Sequence, residues 1–82
     1  MPDIKIYSTA VCPYCVAAKN FLKQRGQSWE EIRLDLDPAL RREIVEKTGR
    51  TSVPQIFING QHIGGFDDMV ALDRAGGLAP LL

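Results

Sequence analysis

Ile4 and Ile6 flank the charged Lys5, and Tyr7 closes the run. So short an alternation of apolar and polar positions predicts a strand over 4–7. Ser8 to Val11 read as a loop, and from Pro13 the period becomes helical. Cys15, Ala18 and Leu22 recur at three- and four-residue intervals, Ala17 and Phe21 widen the stripe, and Lys19 and Lys23 fall on the other side. Gly26 supplies the stop. Pro13 suits a first helical turn, where its missing N–H would have had no partner. A second strand is expected over Trp29–Leu36, with Ile32, Leu34 and Leu36 on one side. Asp37 before Pro38 reads as an N-cap, and the helix it opens carries Leu40, Ile44 and Val45 inward before Gly49 ends it. Residues 54–58 and 61–63 flank Asn59-Gly60, the strongest short hairpin signal because both central turn residues need positive φ. A last helix is expected from about Asp67 to Ala75, with Met69, Val70 and Leu72 apolar and Gly76-Gly77 closing it. The order βαβαββα predicts an α/β fold, with a four-stranded mixed sheet flanked by helices.

The 82 residues fit one domain over 1–82. A hydrophobic fraction of 45% with 24% charged residues excludes a disordered chain. Ten basic residues balance ten acidic ones, so no overall field draws in nucleic acid or an anionic membrane, and neither is expected as a partner. Arg41, Arg42, Lys47 and Arg50 gather locally, a pattern that reads as the solvated face of a helix. The start, MPDIKIYS, has no basic stretch leading into a long apolar run. Neither a signal peptide nor a membrane span is expected, and the location implied is cytoplasmic. In that reducing compartment a structural disulfide does not persist. Two cysteines three positions apart could not staple a domain in any case.

Cys12-Pro13-Tyr14-Cys15 sits between a strand and a helix, where unpaired backbone N–H groups and the positive end of the macrodipole favour a thiolate. The first cysteine of such a motif can titrate well below the free value of about 8.5. Cys12 would then be the exposed nucleophile and Cys15, one turn deeper on the apolar side, the resolving thiol. Thiol–disulfide exchange requires no further catalytic group. Two alternatives stand beside this. The cysteines could pack as small hydrophobes, or they could hold metal. The chain offers no other cysteine and only His62, so a complete zinc site within one chain is excluded by counting, whereas one shared between two chains is not.

The CPYC motif after a first strand, then TSVPQIFI, then a GG-x-D-D turn, resembles the dithiol glutaredoxins. The resemblance runs from Ile4 to Leu82 and is nearest to the short bacterial form. It implies a thioredoxin-like fold with no bound cofactor or metal, and glutathione as reducing co-substrate, itself regenerated by glutathione reductase. Ser52-Val53-Pro54 looks like the family's TVP element, in which the proline follows a cis bond and Val53 offers its N–H and C=O to the glutathione backbone. A trans proline opening an edge strand is the plainer alternative. Gly64-Gly65-Phe66-Asp67-Asp68 looks like the second glutathione element. Glycines leading into a helix start leave N–H groups for a carboxylate. By resemblance the γ-glutamyl end would lie at Gly65, Phe66 and Asp67, with Asp68 on its ammonium. Otherwise Asp67 simply N-caps the helix and Asp68 favours its dipole.

Tyr14 would form an aromatic wall, and Arg41, or Arg42 in its stead, would reach the glycyl carboxylate. Two positions depart from the family: Thr9 stands where a lysine is common, and Phe66 where a further cysteine is frequent. Trp29 reads as edge packing and His62 as a surface or partly packed residue. The activity implied is reduction of protein disulfides and protein–glutathione mixed disulfides by a monomer. An enzyme fed by thioredoxin reductase, a two-chain iron–sulfur carrier and a passive adaptor are the rivals.

Overall fold

A computed structural model describes residues 2–82. Its elements are β1 (Ile4–Ser8), α1 (Pro13–Gln24), β2 (Glu30–Arg33), α2 (Pro38–Thr48), β3 (Gln55–Ile58), β4 (Gln61–Gly64) and α3 (Phe66–Arg74), with short 3-10 turns at Leu34–Leu36 and Ala79–Leu81. The strands form one sheet in the order β2-β1-β3-β4. β1 runs parallel to β2 and antiparallel to β3, and β3 is antiparallel to β4, so the sheet is mixed, as the element order predicts. Asn59 and Gly60 both take positive φ, 53° and 81°, and turn β3 into β4.

The second strand is shorter than the alternation of Ile32, Leu34 and Leu36 predicts. Its pairing with β1 ends at Ser8 opposite Arg33. Beyond that point no backbone ladder remains, and the chain closes into a turn in which Arg33 and Asp35 meet at 2.6 Å. Leu34 is buried and Leu36 is exposed, so the two do not share a side. A period-two pattern had continued past the end of the neighbour that could pair with it.

The core lies between the sheet and the helices α1 and α3. Ile6, Leu22, Ile56, Ile58 and Met69 are fully buried there, together with Ala18 and Leu78. Burying a side chain of that size contributes about 1.5–3 kcal/mol. The α1 stripe of Cys15, Ala18 and Leu22 faces inward as its spacing predicts. Trp29, Phe21 and Phe66 pack against this cluster from its margins. A polar tie links α1 to both of its neighbouring strands. Glu31 of β2 accepts hydrogen bonds from the buried Ser8 hydroxyl at 2.7 Å and from Lys19 at 3.0 Å. The Ser8 bond, then Lys19, holds the Glu31 carboxyl below its ordinary range. Among the described residues, no helix is long and apolar enough to cross a membrane.

Candidate active site

β1 ends at Ser8, and the chain crosses four residues to the start of α1. Cys12 is the N-cap of that helix, with extended backbone, and Pro13 follows at the first helical position. Such a cap must satisfy N–H groups that the first turn leaves unpaired. Here a sulfur does so: Cys12 Sγ accepts from the Cys15 N–H at 3.1 Å. A donor aimed at that atom, at the positive end of the helix, stabilises a thiolate over a thiol. Cys15 lies one turn in, 1% exposed. The two residues are joined as a disulfide, with Cα atoms 5.2 Å apart. Cys12 is the half-exposed member of the pair and the one an incoming sulfur can reach.

A groove of about 270 Å³ runs beside this pair. Tyr14, the second residue of α1, forms one wall, while Cys12 itself is not part of the lining. Ser52, Val53 and Pro54 form the next stretch, and the Val53–Pro54 bond is cis. Gly65, Phe66, Asp67 and Asp68 close the far end. All the residues that the resemblance places on glutathione, apart from Arg41, therefore lie along one depression.

Arg41 lies elsewhere. On α2 the inward positions are Leu40, Ile44 and Thr48, four residues apart, and Ile44 is the buried one. That stripe leaves Arg41, Arg42, Val45 and Glu46 to line a separate depression on the helix flank. Neither Arg41 nor Arg42 is part of the groove's lining.

The groove's cation is Arg50, which the sequence pattern assigned to a solvated helix face. Gly49, at φ 71°, ends α2 before it, so Arg50 belongs to the loop leading to Ser52. Its Nη1 donates to Asp68 Oδ2 at 2.6 Å. The same carboxylate oxygen accepts the Gly65 N–H at 2.8 Å. Helix α3 thus begins at Phe66 with Gly65 as its N-cap, and Asp68 closes the first turn back onto the cap. The plainer expectation that Asp67 caps this helix is corrected: Asp67 is its second residue. The Arg50 bond, then the Gly65 N–H, keeps the Asp68 carboxyl below its ordinary range. The signal for Arg50 was its position, one residue past a helix-stopping glycine and two before Ser52.

His62 is half-buried and bonded. Gln55, fully buried, donates from Nε2 to the Ser52 carbonyl at 2.9 Å and accepts at Oε1 from His62 Nε2, 2.7 Å away. Burial, then the nearby Arg50 charge, lowers the His62 pKa. Among the described residues no three His, Cys, Asp or Glu side chains gather as metal ligands would.

A buried thiol paired with a helix-capping one, at the end of a strand in a four-stranded mixed sheet, defines a thioredoxin-like thiol–disulfide oxidoreductase. The glutaredoxin family model matches residues 4–63. Glutaredoxin 3 of Escherichia coli K12 is 51% identical over 82 residues, covering all of this chain and 99% of its own. A glutaredoxin of Pseudomonas aeruginosa is also 51% identical, over all of this chain and 98% of its own. A buckwheat glutaredoxin–glutathione complex superposes with a TM-score of 0.92 at 33% identity, covering 99% of this chain and 76% of that one. The chain belongs to the glutaredoxin family, and it is a glutathione-dependent thiol–disulfide oxidoreductase.

Proposed function

We propose that Cys12 is the nucleophile and that the groove from Tyr14 to Asp68 holds glutathione beside it. In the dithiol route the Cys12 thiolate attacks a protein disulfide, one protein sulfur leaves as a thiol, and the other stays bonded to Cys12. Cys15 then attacks Cys12, releasing the second protein thiol and leaving the Cys12–Cys15 disulfide. One glutathione opens that disulfide to a Cys12–glutathione bond, and a second takes the glutathione away as its disulfide. In the monothiol route Cys12 attacks the glutathione sulfur of a mixed disulfide and releases the protein thiol. A second glutathione then frees Cys12. Val53 supports the glutathione backbone, the first-turn N–H groups of Phe66 and Asp67 face its α-carboxylate, and Asp68 takes its ammonium.

The observation that carries this reading is the convergence of Tyr14, Ser52–Pro54 and Gly65–Asp68 on one groove. The glutathione bound by the buckwheat relative supports it. Residues 1–82 work in this reading as a single monomeric cytoplasmic domain, acting on disulfide-bonded or glutathionylated proteins with glutathione reductase regenerating the glutathione. The test is turnover of a small glutathione mixed disulfide, coupled to glutathione and glutathione reductase. Wild type turns over and Cys12→Ser does not; persistent turnover in folded Cys12→Ser would refute the assignment.

A further inference from the structure

Asn59 bridges two segments that lie far apart in the sequence. Its Oδ1 accepts the Asp3 N–H at 2.9 Å, just ahead of β1, and its own backbone N–H donates to the Asp3 carbonyl at 2.7 Å. Its Nδ2 donates to the Leu81 carbonyl at 3.3 Å, in the turn that follows α3. Both polar atoms of the side-chain amide are therefore held by partners outside their own hairpin. The Leu81 bond is the longer of the two, and the turn behind it rests on slender supports. Leu81 donates to the Leu78 carbonyl at 2.9 Å and Leu82 to the Ala79 carbonyl at 3.1 Å, and both leucines are only partly buried against the core. Segments of this kind open at a small part of the free energy of global unfolding.

The residue after Asn59 is Gly60, at φ 81°. A Cβ added there would meet no heavy atom within 4 Å, and among the described residues the Gly60 N–H donates to no backbone carbonyl. An asparagine amide beside so open and unengaged a nitrogen can cyclise. The Gly60 nitrogen attacks Asn59 Cγ, the new N–Cγ bond forms, the Cγ–Nδ2 bond breaks, and the Gly60 amide proton leaves with Nδ2 as ammonia. The succinimide takes up water and opens at one of its two carbonyls, to aspartate or isoaspartate. Water is the co-reactant, and no group is oxidised or reduced. Cyclisation must turn the amide so that Cγ faces the Gly60 nitrogen, and Oδ1 and Nδ2 cannot keep Asp3 and Leu81 while it turns.

We propose that Asn59 is a site of spontaneous modification, locked while its amide bridges Asp3 to Leu81 and unlocked when the Ala79–Leu81 turn frays. The mark is one-way. Either product puts an acceptor where Nδ2 donated, facing the Leu81 carbonyl, and isoaspartate also lengthens the main chain of the turn. The bridge cannot re-form, so a molecule that has reacted here stays loosened between the hairpin and the turn after α3.

The test follows amide-to-acid conversion in the reduced wild-type protein at neutral pH, by peptide mass and by methyl transfer onto isoaspartate from an isoaspartyl methyltransferase. Native protein is compared with protein unfolded in guanidinium chloride, and with Leu81→Gly and Leu82→Gly, which loosen the turn through different side chains. Asn59→Gln, whose longer amide cyclises slowly, gives the background. Native wild type converts at Asn59 about ten- to a hundredfold more slowly than the unfolded chain, and the folded glycine variants convert several-fold faster than native wild type. Converted native protein, separated from the unconverted, melts at a lower temperature. Equal rates in native and unfolded protein would show that the bridge locks nothing. A native rate no greater than the global unfolding equilibrium allows, or glycine variants no faster than wild type, would detach the site from the Leu81 turn. Either result overturns the proposal, and so would a converted protein as stable as the unconverted one.

Discussion

Gln55, the first residue of β3, and His62, in the middle of β4, are joined by a 2.7 Å hydrogen bond whose direction is fixed by a second one. Because Gln55 Nε2 donates to the Ser52 carbonyl, its Oε1 is the acceptor, so His62 carries its proton on Nε2. The fully buried amide therefore ties the hairpin to the loop that lines the groove. Gln55→Leu leaves the imidazole N–H and the Ser52 carbonyl without this partner. A buried unpaired group costs about 1–3 kcal/mol, and the half-exposure of His62 places this change near the low end. Thermal unfolding should fall by about 4–8 °C per kcal/mol for a domain of this size. The half-saturating concentration of glutathione should rise as Ser52 and Val53 loosen. An unchanged melting temperature would show the network to be idle.

Acid should weaken the fold in two steps. The His62 pKa is lowered by burial first and by Arg50 next. The unfolded histidine, titrating near 6.5, binds its proton before the folded one does. The stability involved is complete above that pH and is lost as pH falls through the lower folded value. Asp68 is also held down, first by the Arg50 hydrogen bond and then by the Gly65 N–H. Its share is complete above the unfolded value of about 3.9 and is lost as pH falls through the folded one. Melting temperature measured from pH 8 to pH 3 should show both declines. Asp68→Asn should shrink the lower one, to which the depressed Glu31 carboxyl also contributes, and leave the upper.

Two adjacent glycines should respond oppositely to alanine. Gly64 has φ 115°, and a Cβ there would stand 2.5 Å from Asp68 Oδ2. Strain of that kind costs about 1–3 kcal/mol, and the clash also pushes Asp68 off the Gly65 N–H. Gly65 has an ordinary φ of −86°, and its added Cβ would meet nothing nearer than the Pro54 carbonyl at 3.6 Å. Gly64→Ala should lower stability and weaken glutathione saturation. Gly65→Ala should stay within about 0.5 kcal/mol of wild type in denaturant unfolding. Equal effects at the two positions would contradict this account of the corner.

The two sulfurs should separate by reaction. Cys15→Ser removes the resolving thiol and with it the reduction of protein disulfides, while release of glutathione from mixed disulfides continues through Cys12 alone. Parallel assays with a protein disulfide and a glutathionylated protein check this division. Loss of both activities in a folded Cys15→Ser protein would refute it.

Most of the fold was legible because its local signals agree with one another. The α1 stripe ends in Gly26, Asp37 caps α2 by accepting the Leu40 N–H, and Asn59-Gly60 turns the hairpin. The end of β2 was not legible: Leu34 and Leu36 keep the alternation of Ile32, and only the place where β1 stops pairing decides that they leave the sheet. The cysteine pair declared itself by spacing and context. Arg50 did not, because what makes it a groove residue is a partner eighteen positions away on α3. For Arg41 the spacing within α2 set which flank it faces, and no pattern in the sequence says which flank the groove adjoins.

Cys12 is at once the atom that reacts and the atom that starts a helix. Every exchange at that sulfur therefore also rewrites how α1 begins. A thiolate is a charged acceptor and grips the Cys15 amide more firmly than a neutral sulfur can, so the hold on the first turn tightens and slackens once per cycle. The amide proton of Cys15 becomes a resident clock hand for turnover, visible to hydrogen exchange or NMR without any label on the substrate.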